Sequence, residues 1–317
     1  MSDLQTLLDS IKGVSSGGEV IIALSGGLDS SLAFFLSVLA WGKERVIPVH
    51  VDWGIYTYGG IPEKVRMLCS GFDLEPVFIS GQSALEGVLK KGPACNRCTR
   101  KAKLGLIRSF FPNSLIVTGA NQSDSWGSRG KSLINNVYAP LFPLTKAEVK
   151  DLAKELGLFV APIGESSVRE GCKAKHLLKP LVSHEFHGEA VSMANELLLN
   201  FLKKAKMEAQ LANVKIVGPL NANIAIVNVL PYLDQETKGE LKETLKKIDL
   251  LDKIIFADSS LRLTIVCNPA IYNDAHAQAA IKDGILSPSF SAPLECRWIK
   301  SENKRLYSFH VVAVEKL

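Results

Sequence analysis

The sequence lacks the features that would place the chain in a membrane or on a secretory route. No run of about 18 apolar residues could span a bilayer, although 47% of the 317 residues are hydrophobic. The start, Met1 to Leu4, has neither the basic flank nor the apolar core of a secretion signal. We therefore expect a globular cytoplasmic protein without membrane contact, whose six cysteines are thiols or metal ligands.

Acidic residues are missing from one long segment. Between Glu86 and Asp124 the chain has no Asp or Glu, and all of the net charge of +5 falls in the first 180 residues. The cations of this segment are Lys90, Lys91, Arg97, Arg100, Lys101, Lys103 and Arg108. Such a cluster is typical of a protein with an anionic partner such as a nucleic acid, and also of a solvated basic face.

The pattern of apolar residues changes along the chain. The first half alternates short apolar runs with helical patterns, as a parallel sheet with crossover helices does. Its candidate strands are residues 20–24, 46–51, 76–79 and 115–118, apolar almost throughout, as in strands covered on both faces. We predict an α/β protein with a doubly wound parallel sheet in residues 1–180 and a second, smaller α+β domain in residues 181–317.

Helix signals are strongest near the predicted boundary. Thr145 to Glu148 form a capping box, and Gly157 supplies the stop of the helix that follows. A long helix is predicted over 188–206, with Val191, Ala194, Leu198 and Phe201 on its inner face. The remaining predictions are a helix at 235–248 and strands at 214–217, 224–229, 254–257, 261–266 and 307–314.

A turn with two adjacent glycines follows the first predicted strand. Gly26 and Gly27 let the backbone approach an anion, and the free N–H groups and dipole of the next helix favour negative charge there. The segment is not a Walker loop, and Gly130-Lys131-Ser132 is not one either, because Ser125 stands where a glycine is needed. No dinucleotide Gly-x-Gly-x-x-Gly motif occurs. The sequence thus predicts a phosphate site of another type.

The stretch Ser25-Gly26-Gly27-Leu28-Asp29-Ser30 resembles the SGGxDS signature of the PP-loop ATP pyrophosphatases. Members of that superfamily cut ATP between the α and β phosphates, adenylate an oxygen of the substrate and let a nucleophile displace AMP. The resemblance implies an adenine nucleotide alpha hydrolase-like fold and an enzyme that uses ATP and Mg²⁺. It assigns Ser25, Gly26, Gly27, Asp29 and Ser30 to the pyrophosphate cradle, and to Asp29 a catalytic role in binding Mg²⁺.

Two further turns resemble ATP-facing positions of the same superfamily. His50-Val51-Asp52-Trp53, at the end of the second strand, would receive adenine through backbone groups, with Val51 as the contact. Residues 118–124 resemble the second ATP-facing loop, with Gly119 as the contact. An ordinary turn at the end of a strand is the alternative for each.

Three of the cysteines lie in the first 180 residues and form a distinctive pattern. Cys95 and Cys98 make a CxxC motif, and Cys172 follows about 70 residues later. A CxxC alone is compatible with a redox pair, half of a zinc site or two ligands of an iron–sulfur cluster. His176 would complete a Cys₃His zinc site. Three thiolates around a [4Fe-4S] cluster would leave one iron open to bind sulfide or a substrate sulfur. The other cysteines, in apolar patterns typical of buried thiols, are Cys69, Cys267 and Cys296.

This spacing inside a PP-loop domain resembles the iron–sulfur-dependent sulfur transferases of the superfamily, the tRNA 2-thiolation enzymes and the LarE-like enzymes. The resemblance covers roughly residues 18–180, and the order of motifs over 115–148 is similar to LarE-like enzymes. It implies that Cys95, Cys98 and Cys172 hold a [4Fe-4S] cluster and take part in catalysis. The zinc-binding CxxC pairs of one class of tRNA thiolases, and the second CxxC of another, are missing.

We therefore predict an ATP-dependent sulfur transferase that takes sulfide or another sulfur donor and modifies a tRNA base or a small molecule. The cations expected to attract an anionic acceptor such as tRNA are Arg97, Arg100, Lys101, Arg169, Lys173 and Lys175. The alternatives are a nitrogen-transferring synthetase with a structural zinc site, and a nucleotide sensor or RNA-binding protein without catalysis. His184 and His187 are interpreted as surface residues rather than metal ligands. A homodimer is left open.

Overall fold

The computed structural model describes residues 2–14, 17–123, 131–160 and 171–317. The chain divides into two compact units: unit 1 comprises residues 1–54, 59–81 and 99–162, and unit 2 comprises residues 55–58, 82–98 and 163–317. These units do not follow a single boundary at residue 180. Segment 82–98 belongs to unit 2 because, for example, Leu89 O accepts a hydrogen bond from Leu181 N at 3.1 Å. A boundary at residue 180 remains a prediction about which parts of the chain fold independently.

Unit 1 contains a mostly parallel sheet. Its strands are β1 Val20–Ala23, β2 Val46–Asp52, β3 Val77–Ser80, β4 Leu115–Val117, β5 Leu133–Ile134 and β6 Val137–Tyr138. Within the described residues they form a six-stranded sheet in the order β3-β2-β1-β4-β6-β5, in which β5 alone is antiparallel to its neighbour. The chain moves outward from β1 in one direction to β2 and β3 and in the other to β4 and β6. This order confirms the predicted α/β doubly wound fold class.

Both faces of this sheet are covered. Ile21 on β1 packs in one apolar cluster with Val49, Ile79 and Ile107, whereas its neighbour Ile22 is equally buried on the opposite face. Burial on both faces explains why these strands are apolar throughout instead of alternating. The helices of unit 1 are Ser2–Val14, Leu28–Trp41, Ile61–Ser70, Leu104–Phe110 and Lys146–Glu155.

Unit 2 contains two smaller sheets. Its strands are β7 Leu211–Val217, β8 Ile224–Leu230, β9 Lys253–Phe256, β10 Leu261–Cys267, β11 Leu294–Lys300 and β12 Phe309–Lys316. In the part of the chain that the structure describes, β7-β8-β9 and β11-β10-β12 are three-stranded sheets. The strand β11 was not predicted, because charged residues interrupt its apolar pattern. Its burial nevertheless alternates, with Leu294 buried, Cys296 and Trp298 half-buried, and Glu295 exposed.

Two of the helices of unit 2 were predicted from the sequence, and both are present. The long helix runs over Glu189–Lys204 with Val191, Ala194 and Leu198 buried, and the second over Gln235–Leu245. The others are Gln82–Leu89, Cys95–Arg97, Pro269–Tyr272 and Ala275–Ile281.

Short 3₁₀ and π turns complete the structure. The 3₁₀ turns are Lys43–Arg45, Gly54–Tyr56, Lys173–His176 and Ser287–Ser289. The π turns are Cys98–Lys103, His184–Gly188 and Lys282–Leu286. None of the described helices is both long and apolar enough to cross a bilayer.

Candidate active site

The predicted phosphate loop lies where the strand order of the sheet reverses. It connects the end of β1 to the helix Leu28–Trp41, and β4 is the neighbour of β1 on the other side. Ligands of open α/β sheets bind outside the carboxyl ends of the strands at this switch point. Gly27, at the helix N-cap, provides no side-chain cap, so backbone N–H groups of the first turn remain available to an anion.

The loop is held in shape by its own side chains. Gly26 has a φ of 82°, a conformation that a residue with a Cβ adopts only at a cost. The Ser30 hydroxyl accepts a hydrogen bond from Ser25 N at 3.1 Å and donates one to Gly27 O at 3.0 Å. The Ser25 and Ser30 hydroxyl oxygens are 2.9 Å apart. These contacts bring together Ser25, Gly27 and Ser30 as the sequence predicts.

Asp29 is bound by two other segments of unit 1. Lys146 Nζ lies 2.5 and 2.6 Å from the two carboxylate oxygens of Asp29, and Asn121 Nδ2 donates to the same carboxylate at 3.2 Å. Lys146 opens the helix Lys146–Glu155, whose predicted capping box between Thr145 and Glu148 is present. Asp29 is thus an anion that already binds a cation, as a Mg²⁺ ligand would.

Sequence reasoning recognised this capping box but missed Lys146 as a site residue. A signal was present: a lysine in the first turn of a helix opposes the positive end of the helix dipole, so it needs an anionic partner. Here that partner is Asp29. Because the two residues are far apart in the sequence, the pattern alone could not identify the partner.

Gly119 permits the second loop to approach the first. A Cβ at this position would meet backbone atoms of Asp29 and Ser30 at 2.5 Å, far inside contact distance, so glycine is required here. Asn121, on the same loop, is buried and accepts a hydrogen bond from Ser123 N at 2.9 Å. The structure therefore brings Gly119 to the phosphate loop, and its contact with a nucleotide remains a prediction. Asp124, the end of the predicted loop, lies outside the described residues.

Two buried polar atoms near these strand ends have no hydrogen-bond partner among the described residues: Thr118 Oγ1 and His50 Nε2. Burial lowers the pKa of His50, and the charge of Lys103 lowers it further. The neutral ring lies with Nδ1 2.9 Å from Leu24 O. Leaving such an atom unpaired costs about 1–3 kcal/mol, which a bound ligand would recover.

Val51 lies at the end of β2 with its side chain buried beneath Gly81, where a Cβ would meet Val51 Cγ1. Its side chain is therefore taken up by packing. Adenine binding through the backbone of this segment remains a prediction.

The three cysteines of the predicted cluster site all belong to unit 2. Cys95 is exposed, Cys98 and Cys172 are half-buried, and all three are free thiols. Burial raises the pKa of Cys172 to about 12, and negative charge on Cys98 and Cys95 contributes to that rise. The three sulfurs therefore lie within electrostatic reach of one another. The described residues nevertheless contain no group of three or more Cys, His, Asp or Glu that could hold a metal ion as they stand.

His176 is occupied by other contacts and does not serve as a fourth ligand. It is fully buried, with Nε2 2.9 Å from the Tyr58 hydroxyl and Nδ1 2.8 Å from Lys215 Nζ. The Cys₃His zinc alternative is therefore wrong in its choice of His176. The assignment of Cys95, Cys98 and Cys172 to an iron–sulfur cluster remains a prediction.

The cations predicted to attract an acceptor differ in their surroundings. Lys173 is buried and pairs with Glu196 at 3.0 Å, so its prediction as an anion-facing residue is wrong. Burial lowers the pKa of Lys175 to about 8, against the effect of negative charge on Cys95. Arg97 lies over the ring of Tyr307, 4.0 Å from its centroid. Arg100 and Lys101 are exposed in unit 1, and Arg169 lies outside the described residues.

Sheet topology and loop geometry together define an α/β protein whose predicted phosphate loop lies at the switch point of the sheet. No protein-family model matches the chain. The chain is 28% identical over 155 residues to the NH₃-dependent NAD⁺ synthetase of Methanosarcina acetivorans, covering 44% of this chain and 59% of that protein. It is 34% identical over 161 residues to one subunit of the glutamine-hydrolysing GMP synthase of Archaeoglobus fulgidus, covering 44% of this chain and 52% of that subunit.

A third relative carries a sulfur-transfer name. The chain is 29% identical over 170 residues to a probable tRNA sulfurtransferase of Thermococcus kodakarensis, covering 46% of this chain and 42% of that protein. The chain spans about half the length of these three relatives. All three relatives are members of the PP-loop ATP pyrophosphatase superfamily, so the chain is similar to members of that superfamily.

Proposed function

We propose that the protein is an ATP-dependent sulfur transferase. It adenylates an oxygen of its acceptor, releases pyrophosphate, and lets a sulfur nucleophile displace AMP. The observation that carries this proposal is the presence, in one chain, of a preformed phosphate loop and three electrostatically coupled thiols, Cys95, Cys98 and Cys172. The name of the T. kodakarensis relative supports the sulfur chemistry.

In this proposal the phosphate loop binds the pyrophosphate part of ATP. Backbone N–H groups around Gly26 and Gly27 and the hydroxyls of Ser25 and Ser30 hold its oxygens. Asp29, a partly exposed carboxylate, fits a hard cation and would hold the Mg²⁺ that neutralises the leaving pyrophosphate. Val51 and Gly119 would line the rest of the nucleotide site.

Lys146 has a double role in this scheme. Without nucleotide it neutralises Asp29. When Asp29 holds a metal ion instead, the lysine is free to bind a phosphate oxygen and to stabilise charge that develops during adenylation. Its position at the start of a helix keeps it among other groups that favour anions.

Cys95, Cys98 and Cys172 would hold a [4Fe-4S] cluster, which supplies an open iron position where sulfide can bind. The high pKa of Cys172 is compatible with ligation, because a coordinated thiol is deprotonated by the metal charge. The acceptor is a tRNA base or a small molecule. Arg100 and Lys101 are exposed cations that a polyanionic acceptor would contact.

Nitrogen transfer is the second candidate. It is favoured by the names of two relatives, an NH₃-dependent NAD⁺ synthetase and a GMP synthase subunit. In that case the same adenylate would be attacked by ammonia, and the three thiols would have a structural role with zinc and a ligand other than His176.

Metal analysis and product analysis distinguish the two. Protein purified without oxygen should contain iron and acid-labile sulfide rather than zinc. With ATP, Mg²⁺, sodium sulfide and unfractionated tRNA, it should release AMP and pyrophosphate and form a thiolated nucleoside. Cys172→Ser should lose the iron and the product, whereas Cys296→Ser, at a half-buried cysteine in the same unit, should keep both. Zinc without iron, with amidation from ammonium, would establish the second candidate instead.

A further inference from the structure

A second group of polar side chains in unit 2 converges on one carboxylate. Glu86, on the helix Gln82–Leu89, accepts hydrogen bonds at a single oxygen from three donors. His184 Nδ1 lies 2.7 Å from Glu86 Oε1, Gln82 Nε2 lies at 3.1 Å, and the Tyr56 hydroxyl at 3.2 Å. The side chains of Glu86 and His184 are 18% and 29% exposed, so the pair is sheltered but reachable.

The surrounding backbone is shaped to keep this group together. His184 opens the π turn His184–Gly188, which Ser183 caps by accepting a hydrogen bond from Phe186 N at 3.1 Å. A Cβ on Gly188 would collide with the Tyr56 hydroxyl and lie 3.3 Å from His184 Nδ1. Tyr56 itself is fully buried. The sequence pattern predicted surface residues at both His184 and His187, which is wrong for His187, since its side chain is buried.

The shorter of two contacts at Nδ1 sets which nitrogen of His184 carries the proton: Glu86 Oε1 lies at 2.7 Å, whereas Gln82 Nε2 lies at 3.3 Å and donates to Glu86 instead. A carboxylate only accepts, so the neutral ring donates from Nδ1, and its lone pair is on Nε2. Within the described residues, Nε2 of His184 has no hydrogen-bond partner. A carboxylate that orients an imidazole with its other nitrogen available is the arrangement of a general base.

This group also lies near one of the proposed cluster ligands. Burial raises the pKa of Tyr56, and negative charge on Glu86 and on Cys172 raises it further. Tyr56 is therefore within electrostatic reach of Cys172 while it donates to Glu86. All of these residues belong to unit 2.

We propose that His184 is a general base whose Nε2 accepts the proton of the incoming nucleophile, with Glu86 as its positioning residue. The nucleophile is hydrosulfide, an identity that rests on the proposed function. As the C–S bond to the adenylated acceptor forms, the C–O bond breaks and AMP leaves with that electron pair. The S–H proton passes to Nε2, Glu86 stabilises the imidazolium, and the proton then goes to water.

The ionisable groups that face His184 are Glu86 and Tyr56 from the neighbouring segments and Glu185 from its own turn. Replacing Glu86 by Gln removes the carboxylate that holds the proton on Nδ1 of His184, so the Nδ1–H tautomer should weaken.

Three variants test the proposal: His184→Ala, Glu86→Gln and the control His276→Ala. His276 is an exposed histidine on another helix of unit 2. Thiolation of unfractionated tRNA is measured with ATP, Mg²⁺ and sodium sulfide across pH, together with the unfolding midpoint of each variant. We expect about a 100-fold loss for His184→Ala, partial recovery with added imidazole, and an unchanged rate for His276→Ala. Separately, ¹⁵N NMR of histidine-labelled protein reports the His184 tautomer.

An activity of His184→Ala within threefold of the wild type would overturn the proposal. So would a loss that imidazole does not recover, or a proton found on Nε2 in the wild type. Failure of the proposed function looks different: the wild type forms no thiolated product. In that case the tautomer of His184 tests the proposal on its own. An Nδ1–H form that weakens in Glu86→Gln supports His184 as a base for another protonated nucleophile, whereas an Nε2–H form overturns the proposal.

Discussion

The phosphate loop of unit 1 and the three-cysteine site of unit 2 differ in how complete they are. The loop is built from backbone and short local hydrogen bonds, with Ser30 closing the turn onto Gly27 at 3.0 Å. The charges of Cys95 and Cys98 affect the pKa of Cys172, but the described residues contain no complete set of metal ligands. A site made of backbone is set by folding, whereas thiol ligands generally adopt their final arrangement with the metal.

The largest effect should come from the complete site. Asp29→Asn removes the charge that binds Lys146 and that would hold Mg²⁺. We expect AMP formation to fall about 10³-fold, since removing one group that stabilises transition-state charge typically costs 10²–10³. The measurement is AMP release with ATP, sulfide and unfractionated tRNA. Asp73→Asn, at an exposed aspartate of the same unit, should have no effect. Normal activity of Asp29→Asn would contradict the view that the phosphate loop of unit 1 is the more complete of the two sites.

The second test concerns the open site. Cys172→Ser should reduce thiolation by at least about 100-fold, because it removes a cluster ligand and even outer-shell partners of a metal site are worth 10–100-fold; nucleotide affinity should be unchanged. Isothermal titration with a non-hydrolysable ATP analogue measures that affinity. Equal losses of nucleotide binding and thiolation would mean that Cys172 is a structural residue. If Cys172 acts only as a cluster ligand, its replacement leaves the phosphate loop intact.

Lys146→Met sharpens the account of the phosphate loop by keeping the length of the side chain and removing its charge. We expect a fall in kcat of about 10- to 100-fold with a smaller change in KM for ATP, because the lysine acts on charge that develops in the transition state. Lys150→Met, at an exposed position of the same helix, is the control. A change in KM alone would assign Lys146 to ground-state binding.

The smallest expected effect is on stability. Gly119→Ala should destabilise the protein by roughly 1–3 kcal/mol, since its Cβ meets the backbone of Asp29 and Ser30 and overpacking has this cost. Gly13→Ala, on a helix with open space around the glycine, should instead stabilise by about 0.5–1 kcal/mol. Urea unfolding measures both. A neutral Gly119→Ala would show that the two loops are free to separate.

Much of unit 1 could be predicted because its signals are local. Apolar runs gave β1 and β2 to within one residue, and the glycine turn gave the phosphate loop. The pair Lys146 and Asp29 could not be predicted, since a helix-start signal does not name a partner more than a hundred residues away. The capping box of Thr145 and Glu148 already accounted for the sequence at this helix start, so nothing in the pattern pointed to a further partner for Lys146.

Unit 2 was less accessible to sequence reasoning. Residues 55–58 and 82–98 join it through contacts with residues far along the chain, such as Tyr58 with His176 at 2.9 Å. Periodicity describes what each segment becomes and not which segment it meets. For the same reason Lys173 looked like a surface cation, although it is buried beside Glu196.

Iron and sulfide analysis of protein purified without oxygen tests the central claim most directly. The account predicts roughly four iron and four acid-labile sulfide per chain in the wild type, and loss of both in the Cys172→Ser variant. Stoichiometric zinc without iron, unchanged in Cys172→Ser, would contradict it.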